Sequence, residues 1–410
     1  MSEVVDLTDV RKEFPLFAKE KNLPCIYFDS AATSQKPQEV ITAMTKYFSE
    51  ECGTVHRAIY SLAREATAKY DATRELVRQF IGAKESSEVI FTKGTTESIN
   101  LVAFSYGKAF LREGDEILIV ETEHHSNIVP WQMLCAETGA TLQVIPVDDG
   151  GEIALEQFVK MLSSRVKLVS LAYIANATGV IHPVAEVVRL AHEFGAKVLI
   201  DAAQAISHMR IDVQRLDVDF LVFSGHKMYG PTGIGILYGK KHLLESMPPY
   251  QGGGDMIRSV SFEKTTYQGP PLRFEAGTPN IAATMGLHAA IGFMHKIGLD
   301  KVEAWEKTLT EYALASLAKI PGIHFLSKPR HRSSIISFNC EGCHSLDVGT
   351  LLDTRGISVR TGHLCAQPAL RRFGVSSTIR VSFAVYNTLE EIDRFILALK
   401  EVVGILRGDG

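Results

Sequence analysis

The chain has 410 residues, 46% of them hydrophobic and 22% charged, the profile of a globular protein large enough for two domains and a deep cleft. Its 43 Lys and Arg are interleaved with 47 Asp and Glu for a net charge of −4, so no basic stripe marks it for nucleic acid. No apolar run approaches the roughly 18 residues that span a bilayer, and residues 1–17 lack the apolar centre of a signal peptide, so the expectation is no membrane and a cytoplasmic address.

Residues 1–25 carry a short amphipathic pattern of their own and are expected to pack on the smaller of two domains. From there the chain reads as α/β. Short β-branched runs at 88–92, 116–121, 142–147, 166–173, 197–201, 219–225 and 233–238 alternate with helical patterns, among them 99–110, 155–162 and 184–194. This predicts a large domain over 26–280, built on a mainly parallel seven-stranded sheet flanked by helices. The Gly- and Pro-rich stretch 248–271 is the candidate mobile loop. After Thr278-Pro279 the texture changes. A long helical stretch over 282–320 precedes runs at 334–339, 357–360 and 379–383, which predicts a smaller α+β C-terminal domain over 281–410.

In an open α/β sheet, ligands bind beyond the carboxyl ends of the strands, and three such ends are chemically loaded. Gly94-Thr95-Thr96 turns a strand into a helix with free amides and two hydroxyls, which suits a phosphate; a threonine helix cap is the plainer reading. Asp201 ends an apolar strand with nothing basic beside it in sequence. It either pairs with a cation such as a pyridinium nitrogen or caps the next helix. Ser224-Gly225-His226-Lys227 ends a third strand in a small-residue turn, where burial would lower the lysine's pKa and ready its amine for reaction with a carbonyl.

Ser-Gly-His-Lys over 224–227, with Asp-Ala-Ala-Gln before it over 201–204, resembles the class V aminotransferase group of fold-type I pyridoxal-phosphate enzymes. The motifs Thr92-Lys93-Gly94-Thr95-Thr96-Glu97, Glu123-His124-His125-Ser126-Asn127 and Arg360-Thr361-Gly362-His363-Leu364-Cys365-Ala366 extend the likeness to the SufS/CsdA-type cysteine desulfurases. The resemblance implies pyridoxal 5'-phosphate held by Lys227 as a Schiff base. It implies that Asp201 meets the pyridine nitrogen, Gln204 the phenolic oxygen, and that His124 stacks on the ring. Thr95, Thr96, Ser224 and His226 would hold the phosphate, joined by Thr278 from the second subunit of a homodimer. Asn176, Arg360 and Arg380 would take the carboxylate of L-cysteine. Lys227, His124 and Cys365 would carry the chemistry.

Cys365 is the cysteine, of six, with histidine and arginine near it in sequence, a setting that favours a thiolate. By resemblance it takes the substrate's sulfur as a persulfide, leaves alanine, and passes the sulfur to an acceptor protein for iron-sulfur cluster assembly. Relatives usually carry a second histidine where this chain has Leu364, which changes the surroundings of the thiol. The short loop suggests a recessed persulfide served by a SufE-like acceptor. A zinc-bearing SufU-like acceptor is less favoured, because Leu346 stands where its users have a histidine. A selenocysteine lyase would use the same residues. Cys340-Glu341-Gly342-Cys343-His344 has the spacing of a haem attachment motif but reads better as a turn after a strand, with oxidation of the pair left open. The histidines lack ligands at zinc spacing, so no metal is expected.

Overall fold

The computed structural model describes residues 5–18, 25–56 and 58–408; residues 1–4 and 19–24 of the N-terminal segment lie outside them. All seven expected runs of the large domain are strands. They are β2 (Val89–Thr92), β3 (Glu116–Val120), β4 (Thr141–Ile145), β5 (Val166–Ala172), β6 (Lys197–Asp201), β7 (Phe220–Ser224) and β8 (Gly235–Gly239), the label β1 being kept for Ile26–Tyr27. Their order across the sheet is β2-β8-β7-β6-β5-β3-β4. Pairing is parallel from β4 to β7, and only β8 runs against its neighbours.

Most of the sheet is covered on both faces. Strands β2, β7 and β8 are buried at every position, as suits a sheet covered by helices on both sides. The chain leaves β3 for the edge strand β4 and returns to β5 on the other side of β3. A crevice therefore opens at the carboxyl ends of β3 and β5, where such folds bind ligands.

The exposed edge of β2 is closed by side chains. Arg74, from the helix Ser61–Phe80, donates to Val89 O at 2.7 Å, and Glu275 accepts from the Phe91 N–H at 2.7 Å. Arg74 and Glu275 also pair bidentately, at 2.7 and 2.9 Å. Edge-strand groups that would otherwise recruit a foreign strand are satisfied in place.

Further along, the expected single helical stretch 282–320 is two helices, Ile281–Ile297 and Leu299–Leu317, because Gly298 adopts φ 89° between them. The first packs on the helices Gln38–Glu50 and Ser61–Phe80. Stretch 248–271 is not purely a loop: it folds into a hairpin of β9 (Ile257–Val260) and β10 (Thr265–Tyr267).

The smaller sheet runs β11-β12-β15-β14, formed by Ile323–Phe325, Ile335–Cys340, Thr378–Ser382 and Arg360–Gly362. The run expected over 357–360 is divided, because β13 (Ile357–Ser358) turns away to pair with β1. From the N-terminal segment, Phe14 packs edge-on against Tyr229 and Phe293 as well as Tyr386, so it touches residues of both halves. No helix among the described residues is long and apolar enough to cross a membrane.

At Gly235 a Cβ would lie 2.4 Å from Gly94 Cα, so β8 and the turn after β2 meet backbone to backbone. Gly235→Ala is expected to cost about 1–3 kcal/mol, the usual penalty of overpacking, read as a lower urea midpoint; an unchanged midpoint would contradict this close approach.

Candidate active site

A cavity of about 260 Å³ opens at the crevice between β3 and β5. Its walls include Thr95, Thr96, His124, Asn176, Asp201, Gln204, Ser224, His226, Lys227, Arg360, Cys365 and Arg380. These are all but one of the residues expected from sequence. The exception is Thr278, which borders a second cavity with Glu97, Tyr250 and Gln251.

Each strand end contributes in a different way. Thr95 does not cap its helix: both its N–H and its hydroxyl lie 2.8 Å from Ser224 Oγ, which ties the turn after β2 to the end of β7. Thr95, Thr96, Ser224 and His226 also face an adjoining recess. Hydroxyls and an imidazole gathered at a helix start form a donor set suited to a phosphate.

Asp201 is buried at the end of β6, and Oδ1 accepts the Ala203 N–H at 2.9 Å. No helix follows at once, so the capping alternative falls away. Burial raises its pKa, while the Ala203 N–H and the Lys227 amine oppose that rise. Burial in turn lowers the pKa of Lys227, with Asp201 acting against it. The two groups restrain each other across the cavity, a lysine poised toward its neutral, nucleophilic form facing a carboxylate that needs a cation.

His124 follows β3. Its Nδ1 accepts the Ser126 N–H at 3.1 Å and meets Ser126 Oγ at 2.8 Å, an arrangement that assigns the ring proton to Nε2. Burial, followed by the positive charge of Lys227, lowers the imidazole to about 3, so the ring is neutral at physiological pH. Gln204 donates to Ala31 O at 2.7 Å.

Arg380, on β15, is buried and donates from Nη1 to Asn176 O at 3.0 Å and from Nη2 to Asp29 Oδ1 at 3.1 Å. Its Nε and the Oδ1 of Asn176 are buried without a partner. A donor and an acceptor orphaned at one wall fit a polar occupant, such as an amino acid's carboxylate and amine. The more exposed Arg360 lies 3.9 Å from the other oxygen of Asp29.

Cys365 sits in a loop between β14 and the helix Gln367–Arg372, with φ 53° at Cys365 and 55° at Leu364. Two consecutive non-glycine residues in the left-handed region cost on the order of 1–3 kcal/mol each, so the surroundings must hold them there. They do. Asn176 Nδ2 donates to Leu364 O at 2.8 Å, the His125 N–H to Cys365 O at 2.8 Å, and the Cys365 N–H to His363 Nδ1 at 3.1 Å. His125 Nε2 accepts the Gln367 N–H at 3.2 Å, and its ring stacks on His363 at 5.8 Å between centroids. Leu364 is buried in an apolar cluster with Ala177, Leu326, Ala366, Ala369 and Leu370. The residue that departs from the resemblance is thus an anchor for the loop.

Sequence reading gave no site role to Asp29, Ser126, His125 or Glu123, although the last three lie in the motif around His124. Glu123 is fully buried behind His124, accepting from Ala172 N at 2.9 Å and Asn127 Nδ2 at 2.7 Å. Burial raises it to about 8. A carboxylate beside His124 was the available signal. Among the described residues, no group of three or more His, Cys, Asp or Glu could hold a metal ion. Cys340 closes β12, its buried thiol raised to about 12, and His344 caps the helix Ser345–Asp353 by accepting the Leu346 N–H. The spacing that resembles a haem motif is a strand end, a turn and a cap.

Residues 26–395 match the aminotransferase class-V family, nine tenths of the chain. The chain belongs to that family. Its members depend on pyridoxal phosphate, and the buried carboxylate, the hydroxyl cradle and the lysine of lowered pKa fit that cofactor. A curated relative from Synechococcus elongatus, named a cysteine desulfurase, is 50% identical over 97% of this chain and 64% of its own length. Another so named, from Dickeya dadantii, is 47% identical over 97% of both chains. The chain therefore spans less than two thirds of the first relative and nearly all of the second. The solved cysteine desulfurase CsdA of Escherichia coli superposes with a TM-score of 0.92 at 39% identity, covering 98% of this chain and 100% of that one.

Two outcomes follow from this geometry. Leu364→Ala should empty the apolar anchor, costing about 2 kcal/mol at the lower end of core truncations, and speed labelling of Cys365 by a thiol reagent; an unaltered labelling rate would refute the anchor. Glu123 has a folded-state pKa above its unfolded one, so its contribution to stability is complete below about pH 4.5 and is lost as pH rises through about 8. Relative to Glu123→Gln, the wild-type protein should lose on the order of a few kcal/mol across that window in urea unfolding.

Proposed function

We propose that this protein is a cysteine desulfurase that converts L-cysteine to L-alanine and takes the sulfur as a persulfide on Cys365. The observation that carries this reading is that Cys365 and Lys227 share one cavity, with Arg380 and Asn176 beside them. An aminotransferase site would have no use for a thiol at that position. The names borne by the curated relatives support the same activity.

In this reading Lys227 supplies the amine that carries the cofactor, Asp201 faces its ring nitrogen, and Gln204 its phenolic oxygen. Thr95, Thr96, Ser224 and His226 hold the phosphate, with the partner subunit's Thr278 completing the cradle in a homodimer. When bound, the cofactor supplies the electron sink that labilises the substrate's carbon–sulfur bond. Arg380, Asn176 and Arg360 hold the substrate carboxylate, a task suited to the planar guanidinium fork. His124, neutral with its proton on Nε2, and Lys227 move protons to and from the substrate. The Cys365 thiolate attacks the substrate's sulfur; a sulfur–sulfur bond forms as the carbon–sulfur bond breaks, and the carbon is protonated to give alanine. Atoms balance without an external oxidant.

The short loop is read as holding the persulfide recessed, which favours delivery to a fitted, SufE-like acceptor, with iron-sulfur cluster assembly as the destination and the cytoplasm as the place. Selenocysteine lyase is not favoured, since the relatives at 47–50% identity are named for cysteine.

After incubation with cysteine, peptide mapping should find the mass of one added sulfur on the Cys365 peptide. Cys365→Ala should lose that mass and the alanine product while keeping the cofactor's visible absorbance; unchanged turnover in this variant would sink the mechanism.

A further inference from the structure

Four donors converge on one carbonyl of the Lys227 turn. His226 O, which belongs to the peptide bond joining His226 to Lys227, lies 2.9 Å from Lys36 Nζ and 3.0 Å from Ser34 N. Thr33 Oγ1 and Ser34 Oγ each lie 3.1 Å from it. On the far side of Lys227, the Tyr229 N–H donates to the same Ser34 Oγ at 2.8 Å, from a residue held at φ 66°. The segment 33–36 therefore grips the lysine's backbone before and after its side chain.

A carbonyl offers two lone pairs, so four donors cannot all bond it at full strength, and the charged one is favoured. Lys36 is an unusual choice for that place. It is partly withdrawn from water, and its other partners are Ser34 O at 2.5 Å and Ser34 Oγ at 3.4 Å. No carboxylate pairs with it among the described residues, and burial alone pushes its amine down to about 7. A lysine desolvated without a counter-ion lowers stability, and what this one reaches from its half-buried position is the peptide that carries Lys227.

We propose that Lys36, acting with Ser34, is a positioning residue that fixes the His226–Lys227 peptide plane and so aims the Lys227 amine at the cofactor's aldehyde. The inference rests on Lys227 as the cofactor's carrier. The step it governs is condensation of the Lys227 amine with the aldehyde carbon, in which a carbon–nitrogen bond forms and one water leaves. A misplacement of about 1 Å is enough to slow such a step by up to roughly a hundredfold.

The test uses the full chain freed of cofactor. Mixed with pyridoxal phosphate, Lys36→Met should develop the visible absorbance of the bound cofactor roughly ten- to a hundredfold more slowly than wild type. Its affinity for pyridoxamine phosphate, which has no aldehyde, should stay within about twofold by calorimetry, since that ligand does not depend on the aim of Lys227. Ser34→Ala should shift in the same direction, and Lys36→Gln, which keeps a neutral donor, should fall between Lys36→Met and wild type. If Lys36→Met does not fold, Lys36→Gln carries the measurement. An unchanged rate overturns the proposal, and so does a parallel loss of both ligands, which would make Lys36 a general prop of the pocket. Lys227→Ala separates the two layers: if it develops the same absorbance, the reading of Lys227 fails, whereas if it does not and Lys36→Met is normal, only the positioning role fails.

Discussion

Arg380 Nη2 donates to Asp29 Oδ1 at 3.1 Å, and through that contact the strand that completes the small sheet is tied to the segment that enters the large one. Around the ion pair the backbone is stitched in both directions: Phe28 N to Ser358 O at 2.9 Å, and Ser382 N to Phe28 O at 2.8 Å. The same segment continues to Ser34 and Lys36, which grip the turn of Lys227. One run of about a dozen residues thus sets the distance between Arg380 and Lys227 in the cavity wall. With Arg380 buried and Asp29 partly so, the ion pair is not a source of great stability in itself; its value is that it fixes one geometry, since the buried guanidinium left alone would be a costly bare charge.

Desolvation is the first cause of every pKa displacement in the cavity. It raises Asp201 and Glu123 and lowers Lys227, His124 and His226. A group buried in this way keeps its charge when an opposite charge arrives beside it, so Asp201 suits a ring cation, as the hydroxyl cradle suits a phosphate. Arg380 Nε and Asn176 Oδ1, buried without partners among the described residues, belong to side chains of the cavity wall.

Cys365 follows a strand of the four-stranded sheet, yet much of its loop is held by residues that follow strands of the seven-stranded one. Asn176 and His125 reach across to the carbonyls of Leu364 and Cys365, while Leu364 is sunk against Ala177. These contacts offset two left-handed residues and keep the thiol at the cavity instead of in open water.

The sequence by itself determined the sheet, because apolar strands buried on both faces, as all but the edge strand β4 are, leave a composition that survives in one dimension; all seven were placed within two residues of their ends. The strand ends at Thr95, Asp201 and Lys227 were legible as well, since in this topology they are adjacent and each carries its chemistry just past an apolar run, whereas His124, Asn176, Gln204, Arg360 and Arg380 came from the family resemblance. What it left to tertiary structure were contacts between residues far apart in the chain. Thr95 bonding Ser224 and Lys36 bonding His226 O are separated by more than a hundred residues and carry no periodic signal. Gly298 breaking a helix, β13 leaving for β1, and the hairpin over 257–267 each turned on φ or on pairing partners that composition does not specify. The role of Leu364 was legible only as a departure. Folding made it an anchor, because burial depends on what the rest of the chain packs around a residue.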